Sequence, residues 1–434
     1  MPQSQPQPQS QSRSEPQPRS WSEDRPQSSY RDRTQARSSR PTTAVVIGGG
    51  IGGLAAAAAL HRSGHRVTVL ERAPSVEPVG AAVSLSPNAL RALDVIGIGD
   101  RIRDLAAWQG DGGLRTPAGR WLARTDAAAA AERFGGPLVL LHRATLIEAL
   151  AALLPPGTVR TSATARLADP GDVRRPARVA TPDGELEADL VVAADGIHSA
   201  ARRVLFPDHP GPVYSGFTTW RLVIPLPGAA FASHETWGRG CLWGTHPLND
   251  GRVYAYAAAV TPAGQRAADD ERAELLRRFG HWHDPIPAVL AAARPQDVLR
   301  HDVHHIAAPL PSCHRGRTVL LGDAAHAMPP TLGQGGNQAV EDAVVLAHHA
   351  GDLPAYTAAR LPRTTAVARR AVRVARVNMM GDRAGCAVRN TAIAALSRTV
   401  PGALLRGFDG IADWRPPQRP YAAVRAGTAD AGGR

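Results

Sequence analysis

Glycines and an acidic residue near the start of the chain have the spacing of a phosphate-binding loop. Gly48, Gly50 and Gly53 satisfy GxGxxG directly after the apolar run 44–47 and at the start of an alanine-rich stretch. The glycines permit a tight turn, close approach of a pyrophosphate and close packing of a helix, whose N-terminus adds N–H donors and a positive dipole. Glu71 ends the next apolar run, where a carboxylate can accept hydrogen bonds from a ribose. The pattern predicts a dinucleotide site without specifying the dinucleotide.

Two further segments place acidic residues and glycines after apolar runs. Residues 190–199, LVVAADGIHS, predict a buried strand that ends in Asp195-Gly196, a pair that by itself favours a simple β-turn. Residues 320–342 lead through Gly322-Asp323 into the glycine-rich stretch 333–336, followed by a helix with an apolar stripe. An aspartate at a strand end can bind sugar-like hydroxyls, and such a loop offers N–H groups to an anion, for example the carbonyl edge of a reduced flavin.

The surrounding sequence predicts the elements that position these motifs. A strand at 44–47, a helix at about 50–63 and a strand at 66–70 make a βαβ opening. Further helices are predicted at 87–96, 145–154, 337–350 and beyond Pro362, and further strands within 159–192 and at 318–321. Residues 213–260 alternate in polarity and carry Trp220, Trp237 and Trp243, which indicates a separate sheet with an aromatic face. Residues 1–42 are rich in Gln, Ser, Pro and Arg and are predicted to be disordered.

Composition excludes several classes of protein. The 434-residue chain has a formal charge of +12, but it contains no lysine, and its arginines are spread along the chain rather than interleaved with aromatics, so nucleic acid is not expected as a partner. Three widely spaced cysteines do not form a disulfide framework, which favours a reducing cytoplasm. No uninterrupted apolar run is long enough for a membrane span. The histidines at 281–283 and 301–305 lack familiar ligand partners, so no metal is expected.

The order of the three motifs resembles the class A flavoprotein monooxygenases, which include para-hydroxybenzoate, salicylate and urate hydroxylases and zeaxanthin epoxidase. The resemblance runs from about Thr43 to Val374, and the urate-hydroxylase and zeaxanthin-epoxidase branch looks most similar. It includes the phrases GAAVSLSPNALRALDVIG at 80–97, LHR at 141–143 and SGFTTWR at 215–221. The resemblance implies an α/β fold in which a Rossmann-like FAD-binding domain of the GR2 type is interleaved with a mixed β-sheet substrate domain, followed by C-terminal helices.

The resemblance also implies domain limits. The discontinuous FAD-binding domain would comprise 43–80, 135–212 and 300–370, and the substrate-binding domain 81–134 and 213–299. Residues 371–434 would form a C-terminal helical segment and an irregular tail.

Particular residues acquire roles by this similarity. Gly48, Gly50, Gly53, Glu71 and Arg72 would bind the ADP half of FAD, and Arg143 would lie beside the cofactor. Asp195 and Gly196 would serve both FAD and transient NADPH or NADH, which would account for the lack of a second nucleotide fingerprint. Asp323 would hold the ribityl chain. The residues expected against the flavin ring are Pro329, Gly333, Gln334, Gly335, Gly336 and Asn337.

The implied function is that of an FAD-dependent monooxygenase that uses NAD(P)H and O2. A flavin C4a-hydroperoxide would hydroxylate or epoxidise a small aromatic, heteroaromatic or polyketide-like substrate. Arg221 and His246 are the candidates for substrate contact and catalysis; an ordinary salt bridge and an ordinary strand histidine are the alternatives. The protein is expected to be a monomer or homodimer.

Three other functions compete with this interpretation. WRLVIP at 220–225 resembles the WxWxIP motif of flavin-dependent halogenases, but those enzymes rely on a catalytic lysine, which this chain lacks. An FAD-dependent dehydrogenase or reductase without oxygen transfer is harder to separate by sequence. A non-catalytic flavin carrier would have little need for the dipoles aimed at a reduced ring.

Overall fold

The computed structural model describes residues 42–76, 81–108, 111–228, 230–400, 402–403 and 405–417. The tail predicted at 1–42 therefore lies outside the described residues, apart from residue 42. The helices are α1 (Ile51–Arg62), α2 (Pro87–Ile96), α3 (Gly99–Leu105), α4 (Ala127–Phe134), α5 (Arg143–Ala151), α6 (Ala200–Leu205), α7 (Glu271–Phe279), α8 (Ile286–Ala292), α9 (Asp323–His326), α10 (Gly335–His348), α11 (Leu353–Asn378) and α12 (Arg383–Thr399).

The described strands and helices are interspersed along the chain and form several sheets covered by helices, which confirms the predicted α/β fold. They are β1 (Thr43–Ile47), β2 (Arg66–Leu70), β3 (Ala82–Leu85), β4 (Ala107–Trp108), β5 (Gly112–Arg115), β6 (Trp121–Thr125), β7 (Val139–His142), β8 (Val159–Arg160), β9 (Arg166–Asp169), β10 (Ala177–Thr181), β11 (Gly184–Ala188), β12 (Leu190–Ala193), β13 (Pro212–Pro225), β14 (Ser233–Trp237), β15 (Cys241–Pro247), β16 (Arg252–Val260), β17 (Leu299–Ile306), β18 (His314–Arg315) and β19 (Thr318–Leu320).

One sheet carries the three sequence motifs. Its strand order is β18-β19-β12-β1-β2-β8, and every neighbouring pair is parallel except β18 with β19. The apolar strands β1, β12 and β19 are buried on both faces, because α1, α2, α5 and α10 cover one face and β9–β11 with α6 and α9 cover the other. The alanines of α1 are fully buried and are small enough for α10 to pack against that helix.

A second sheet has the order β17-β13-β16-β15-β14-β5-β6 and is antiparallel except for the parallel pair β14–β5. It confirms the separate sheet predicted within 213–260. The tryptophans divide between its faces: Trp220 and Trp243 pack under α7 and α8, while Trp237 lies on the opposite face. The sheet also includes β17 from residues 299–306. The domain limits themselves remain predictions.

The structure differs from the sequence-based prediction at Pro362. A helix was expected to begin beyond this proline, but α11 begins at Leu353 and contains Pro362. Asp352 caps the helix by accepting a hydrogen bond from the Ala355 N–H. A proline within a helix removes one N–H and favours a break, but buried side chains on both sides of it, including Arg360 and Val367, hold α11 in place.

Candidate FAD site and substrate face

The polar ends of the motifs meet at one edge of the parallel sheet. Ile47 is paired with Leu70 on one side and Ala193 on the other, and Ala193 is paired with Leu320. The residues that follow these four strands therefore emerge side by side at the carboxyl edge. In open parallel sheets, this edge is where ligands bind.

The first glycine-rich loop has the geometry that its spacing predicts. Gly48 has φ +108°, and a Cβ there would lie 2.4 Å from the Ala194 carbonyl oxygen. A Cβ on Gly53 would lie 2.0 Å from the Gly48 carbonyl oxygen, so the helix can approach the strand only if this residue is glycine. By contrast, a Cβ on Gly50 would meet nothing within 4 Å. The loop therefore has open space in front of Gly50, where a pyrophosphate could approach.

Glu71 holds this loop in shape. One carboxylate oxygen accepts a hydrogen bond from the Gly49 N–H at 2.6 Å, and the other accepts from the Ala73 N–H at 2.8 Å. Each oxygen retains a second lone pair that a ribose hydroxyl could use. The neighbouring Arg72 is exposed.

Asp195 has one carboxylate oxygen bound and one available. Its Oδ2 accepts a hydrogen bond from the Ala201 N–H at 3.1 Å. Its Oδ1 is buried and has no hydrogen-bond partner among the described residues. Such an atom costs free energy unless a ligand or water satisfies it. Gly196 adds open space beside this group.

Asp323 and the second glycine-rich loop are adjacent. A Cβ on Gly335 would lie 3.8 Å from the Asp323 Oδ1, and a Cβ on Gly336 would lie 3.9 Å from the Ile51 Cδ1. The two glycine-rich loops, at 48–53 and 333–336 in the sequence, are thus close in space. Asp323 is accessible to solvent but has protein around most of the carboxylate, and this desolvation raises its pKa.

Two arginines link the carboxyl edge to the second sheet. Arg143 begins α5, and desolvation and the charge of Arg221 lower its pKa, partly offset by Asp323. Arg143 is therefore within electrostatic reach of both sheets. The Nε atoms of Arg143 and Arg221 are buried and lack hydrogen-bond partners among the described residues. These donors are available to a ligand.

The side chains of the second glycine-rich loop and of the start of α10 are held by a buried polar network that the sequence did not predict. Gln334 and Asn337 are fully buried, and their amides bond to Ser86, Asn88 and Ser84. Any contact with a ligand would therefore come from their backbone. Pro329 is also buried, whereas Gly333 takes up a φ of +63° at the start of the loop. Glu341 and Asp342 follow this loop on α10 and are fully buried, and the sequence carried no signal of their partners.

Those partners lie on α11. Arg360 donates to Glu341 Oε2 and to Asp342 Oδ1, each at 2.6 Å, and Arg363 donates to Glu341 at 2.7 Å. Asp342 also accepts from His326 Nε2 at 2.6 Å and from the Gly322 N–H at 3.0 Å. Burial would raise the pKa of Asp342, but His326 and Arg360 lower it below its ordinary value. The ionised network thus ties the Gly322 turn to α10 and α11.

The face of the second sheet opposite α7 and α8 carries the substrate candidates. Arg221 is paired with Tyr256, and His246 is paired with Tyr254. The His246 ring stacks on that of Tyr256, with centroids 5.5 Å apart and an angle of 16°. Desolvation lowers the pKa of His246 to about 4 and raises that of Tyr254 to about 12. At neutral pH both side chains are therefore uncharged.

The geometry fits FAD: a glycine-rich loop with open space in front of Gly50, an unpartnered Asp195 oxygen, and Asp323 beside a second glycine-rich loop lie along one edge. The FAD binding domain family model matches residues 41–371. The chain belongs to the FAD binding domain family. The predicted resemblance to flavoprotein monooxygenases is thereby confirmed.

Named relatives agree with this assignment. Aurachin C monooxygenase/isomerase of Stigmatella aurantiaca is 35% identical over 357 residues, which cover 80% of this chain and 92% of that protein. The FAD-dependent urate hydroxylase of Klebsiella pneumoniae is 34% identical over 314 residues, 70% of this chain and 80% of the relative. A Klebsiella pneumoniae structure complexed with FAD and uric acid superimposes with a TM-score of 0.76 at 29% identity, covering 86% and 96% of the two chains. Such relatives support a monooxygenase over a dehydrogenase.

No described helix is long and apolar enough to cross a membrane. The described residues also contain no group of three or more His, Cys, Asp or Glu side chains arranged to hold a metal ion.

Proposed function

We propose that this chain is an FAD-dependent monooxygenase that uses NAD(P)H and O2 to place one oxygen atom on a small aromatic or heteroaromatic substrate. The observation that carries the proposal is the position of Arg143. Its guanidinium interacts electrostatically with Asp323 at the carboxyl edge of the first sheet and with Arg221 on the aromatic face of the second. Arg143 would therefore connect the residues that hold the flavin with the residues that contact the substrate.

The first sheet supplies the cofactor contacts in this proposal. The N–H groups at the start of α1 bind the pyrophosphate, and Glu71 shapes their loop while offering its remaining lone pairs to the ribose. Asp323 binds ribityl hydroxyls. Gly333 makes the turn, since its own N–H donates to the Pro330 carbonyl at 2.9 Å. Backbone N–H groups of residues 334–337 would hold the carbonyl edge of the ring, where the helix dipole of α10 favours negative charge. Arg72 and Pro329 complete the proposed set at its periphery.

The second sheet supplies the substrate contacts. When bound, the flavin provides the redox chemistry and oxygen activation that side chains cannot perform. The aromatic face excludes water from the reacting ring. Arg221 binds an anionic or hydrogen-bond-accepting group, since its Nε is unpartnered within the described protein. His246, neutral at pH 7, can accept a proton or hydrogen bond from a hydroxylated ring.

The relatives guide the choice of substrate. The names of three of them specify urate, 3-amino-4-hydroxybenzoate and 3-hydroxybenzoate. Each is a small ring compound with hydrogen-bonding substituents, so we propose the same class for this chain. We also propose that Asp195 and Gly196 serve the transient NAD(P)H, and that the enzyme acts as a monomer or homodimer in the cytoplasm.

The proposal can be tested on the purified chain. We expect a yellow protein with one FAD, whose oxidation of NADH or NADPH accelerates when a ring compound of this class is added. Under ¹⁸O2 the product should gain one labelled oxygen atom. A protein that takes up no FAD, or substrate-stimulated NAD(P)H oxidation that persists without O2 and yields an unoxygenated product, would contradict the proposal.

A further inference from the structure

A row of cross-strand partners places a carboxylate on the substrate face. Arg221 on β13 is paired with Tyr256 on β16, Tyr256 with Gly244 on β15, and Gly244 with Glu235 on β14. Directly paired residues of neighbouring strands point to the same face of a sheet. Arg221, Tyr256 and Glu235 therefore share the face that carries the substrate candidates.

Gly244 allows the Tyr256 hydroxyl and the Glu235 carboxylate in this row to meet. A Cβ at position 244 would lie 2.2 Å from the Tyr256 Cζ, so the tyrosine ring occupies the space above this glycine. The ring crosses β15, and its hydroxyl donates a hydrogen bond to Glu235 Oε1 at 2.5 Å. Any larger residue at 244 would separate the pair.

Trp237 determines how Glu235 is used. The indole Nε1–H donates to Glu235 Oε2 at 2.8 Å. An indole N–H can only donate, so this oxygen must accept. The carboxylate therefore receives one hydrogen bond from each of two neighbours, and the Tyr256 proton is directed at Glu235. The Tyr256 oxygen is left with lone pairs, which can only accept from a ligand.

We propose that Glu235 is a specificity-determining positioning residue that makes Tyr256 an acceptor for a ring hydroxyl or amine of the substrate. Arg221, in the same row, binds an anionic group on that ring. The substrate class is an aromatic compound with both an O–H or N–H donor and an anionic substituent. This inference rests on the proposed function, because it assigns the row to the substrate of the same flavin.

The decisive variant is Glu235→Gln in the FAD-loaded enzyme. The glutamine carbonyl must accept from Trp237, which leaves its NH2 group facing Tyr256. The Tyr256 oxygen then accepts from this amide, and its proton is free to point at the ligand. The substitution therefore reverses the polarity of the tyrosine without removing its side chain.

The probes are matched pairs of a hydroxybenzoate and its methyl ether, such as 3-hydroxybenzoate with 3-methoxybenzoate and 4-hydroxybenzoate with 4-methoxybenzoate. Binding is measured from the change in flavin absorbance. The natural enzyme should bind the hydroxyl member of at least one pair about tenfold more tightly. Glu235→Gln should favour the ether, and Tyr256→Phe should abolish the discrimination without reversing it.

Two controls separate this inference from general damage. Glu187→Gln changes an exposed glutamate on β11, and Tyr214→Phe removes a hydroxyl that bonds to the Thr261 carbonyl away from the row. Both should retain the natural preference. An unchanged preference in Glu235→Gln, or the absence of a preference or of binding for every pair, would overturn the inference. If the natural enzyme nevertheless binds FAD and oxygenates another ring compound, the proposed function still stands.

Discussion

Two regions of the protein contain buried charged groups. One is the ion-pair network beneath α10, which joins Arg360 to Glu341 and Asp342, and the other is the row on the substrate face that begins at Arg221. Beneath α10, Arg360 and Glu341 are 1% and 0% exposed, and they are bonded to each other at 2.6 Å with further partners around them. On the substrate face, Arg221 keeps a buried Nε without a partner among the described residues. The first arrangement stabilises a loop, whereas the second leaves hydrogen-bonding capacity for a ligand. Whether the N–H groups of the buried arginine have partners thus distinguishes these two regions.

The largest expected effect is on the scaffold. Arg360→Met leaves Asp342 without its arginine and weakens the pairing of Glu341, so it should lower the free energy of unfolding by about 3–5 kcal/mol. Urea unfolding measures this loss. Arg178→Met is the matched control, because its ion pair with Glu185 is 44% and 47% exposed and should contribute at most about 1 kcal/mol. Similar losses in both variants would contradict the distinction between buried and exposed pairs.

The next prediction concerns the substrate face and the pH dependence of the free energy of unfolding. Because the pKa of His246 is lowered from 6.5 to about 4, the unfolded chain binds more protons than the folded one between these values. Its contribution to stability is therefore complete above pH 6.5 and is lost as the pH falls to 4, with a total of about 3 kcal/mol. Urea unfolding at intervals across this window should show a shallower pH dependence in His246→Gln.

His281 provides the control for this pH series. It is exposed, so His281→Gln should retain the pH dependence of the natural protein. If His246→Gln retained that dependence as well, the histidine would be in contact with water rather than enclosed by the aromatic face.

A smaller effect concerns the cofactor edge. Asp323→Ala should weaken FAD binding by about 1–3 kcal/mol, because sugar hydroxyls of the bound cofactor would lose their acceptor. This corresponds to roughly a 5- to 150-fold increase in Kd, measurable by titrating the apoprotein with FAD. Asp208→Ala, at an exposed position on the loop after α6, should leave the Kd unchanged. Unchanged cofactor content in Asp323→Ala would show that the ribityl contact is misplaced.

The smallest effect lies outside both regions. Removal of residues 1–42 should leave flavin content and turnover unchanged, since the family match begins at residue 41 and the motifs follow residue 43. Comparing full-length and shortened proteins for bound FAD and NAD(P)H oxidation tests this. A clear loss of bound FAD or of NAD(P)H oxidation would show that residues 1–42 contribute to one of the two regions.

The two regions also differ in how far they could be predicted. The GxGxxG loop, the strand before it and α2 were predicted because their signals are local: spacing, glycine and a period of apolar residues. The predicted start of α11 was wrong. Pro362 by itself suggests a helix break, whereas the burial of Arg360 and Val367 on either side of it depends on tertiary structure. The partners of the Gln334 and Asn337 amides, which are Ser86, Asn88 and Ser84, were not predicted either, because they join segments about 250 residues apart; the place of these two residues against the flavin stays a prediction.

From its amino-acid order alone, the chain determined a dinucleotide-binding βαβ unit, a second glycine-rich loop before a helix and a separate aromatic sheet. Tertiary structure alone decided that Glu235 lies beside Tyr256 above Gly244, and that Glu341 and Asp342 are neutralised from α11. The reason is physical. A backbone turn depends on residues a few positions apart, whereas strand register and the partners of a buried charge depend on segments brought together from distant parts of the chain.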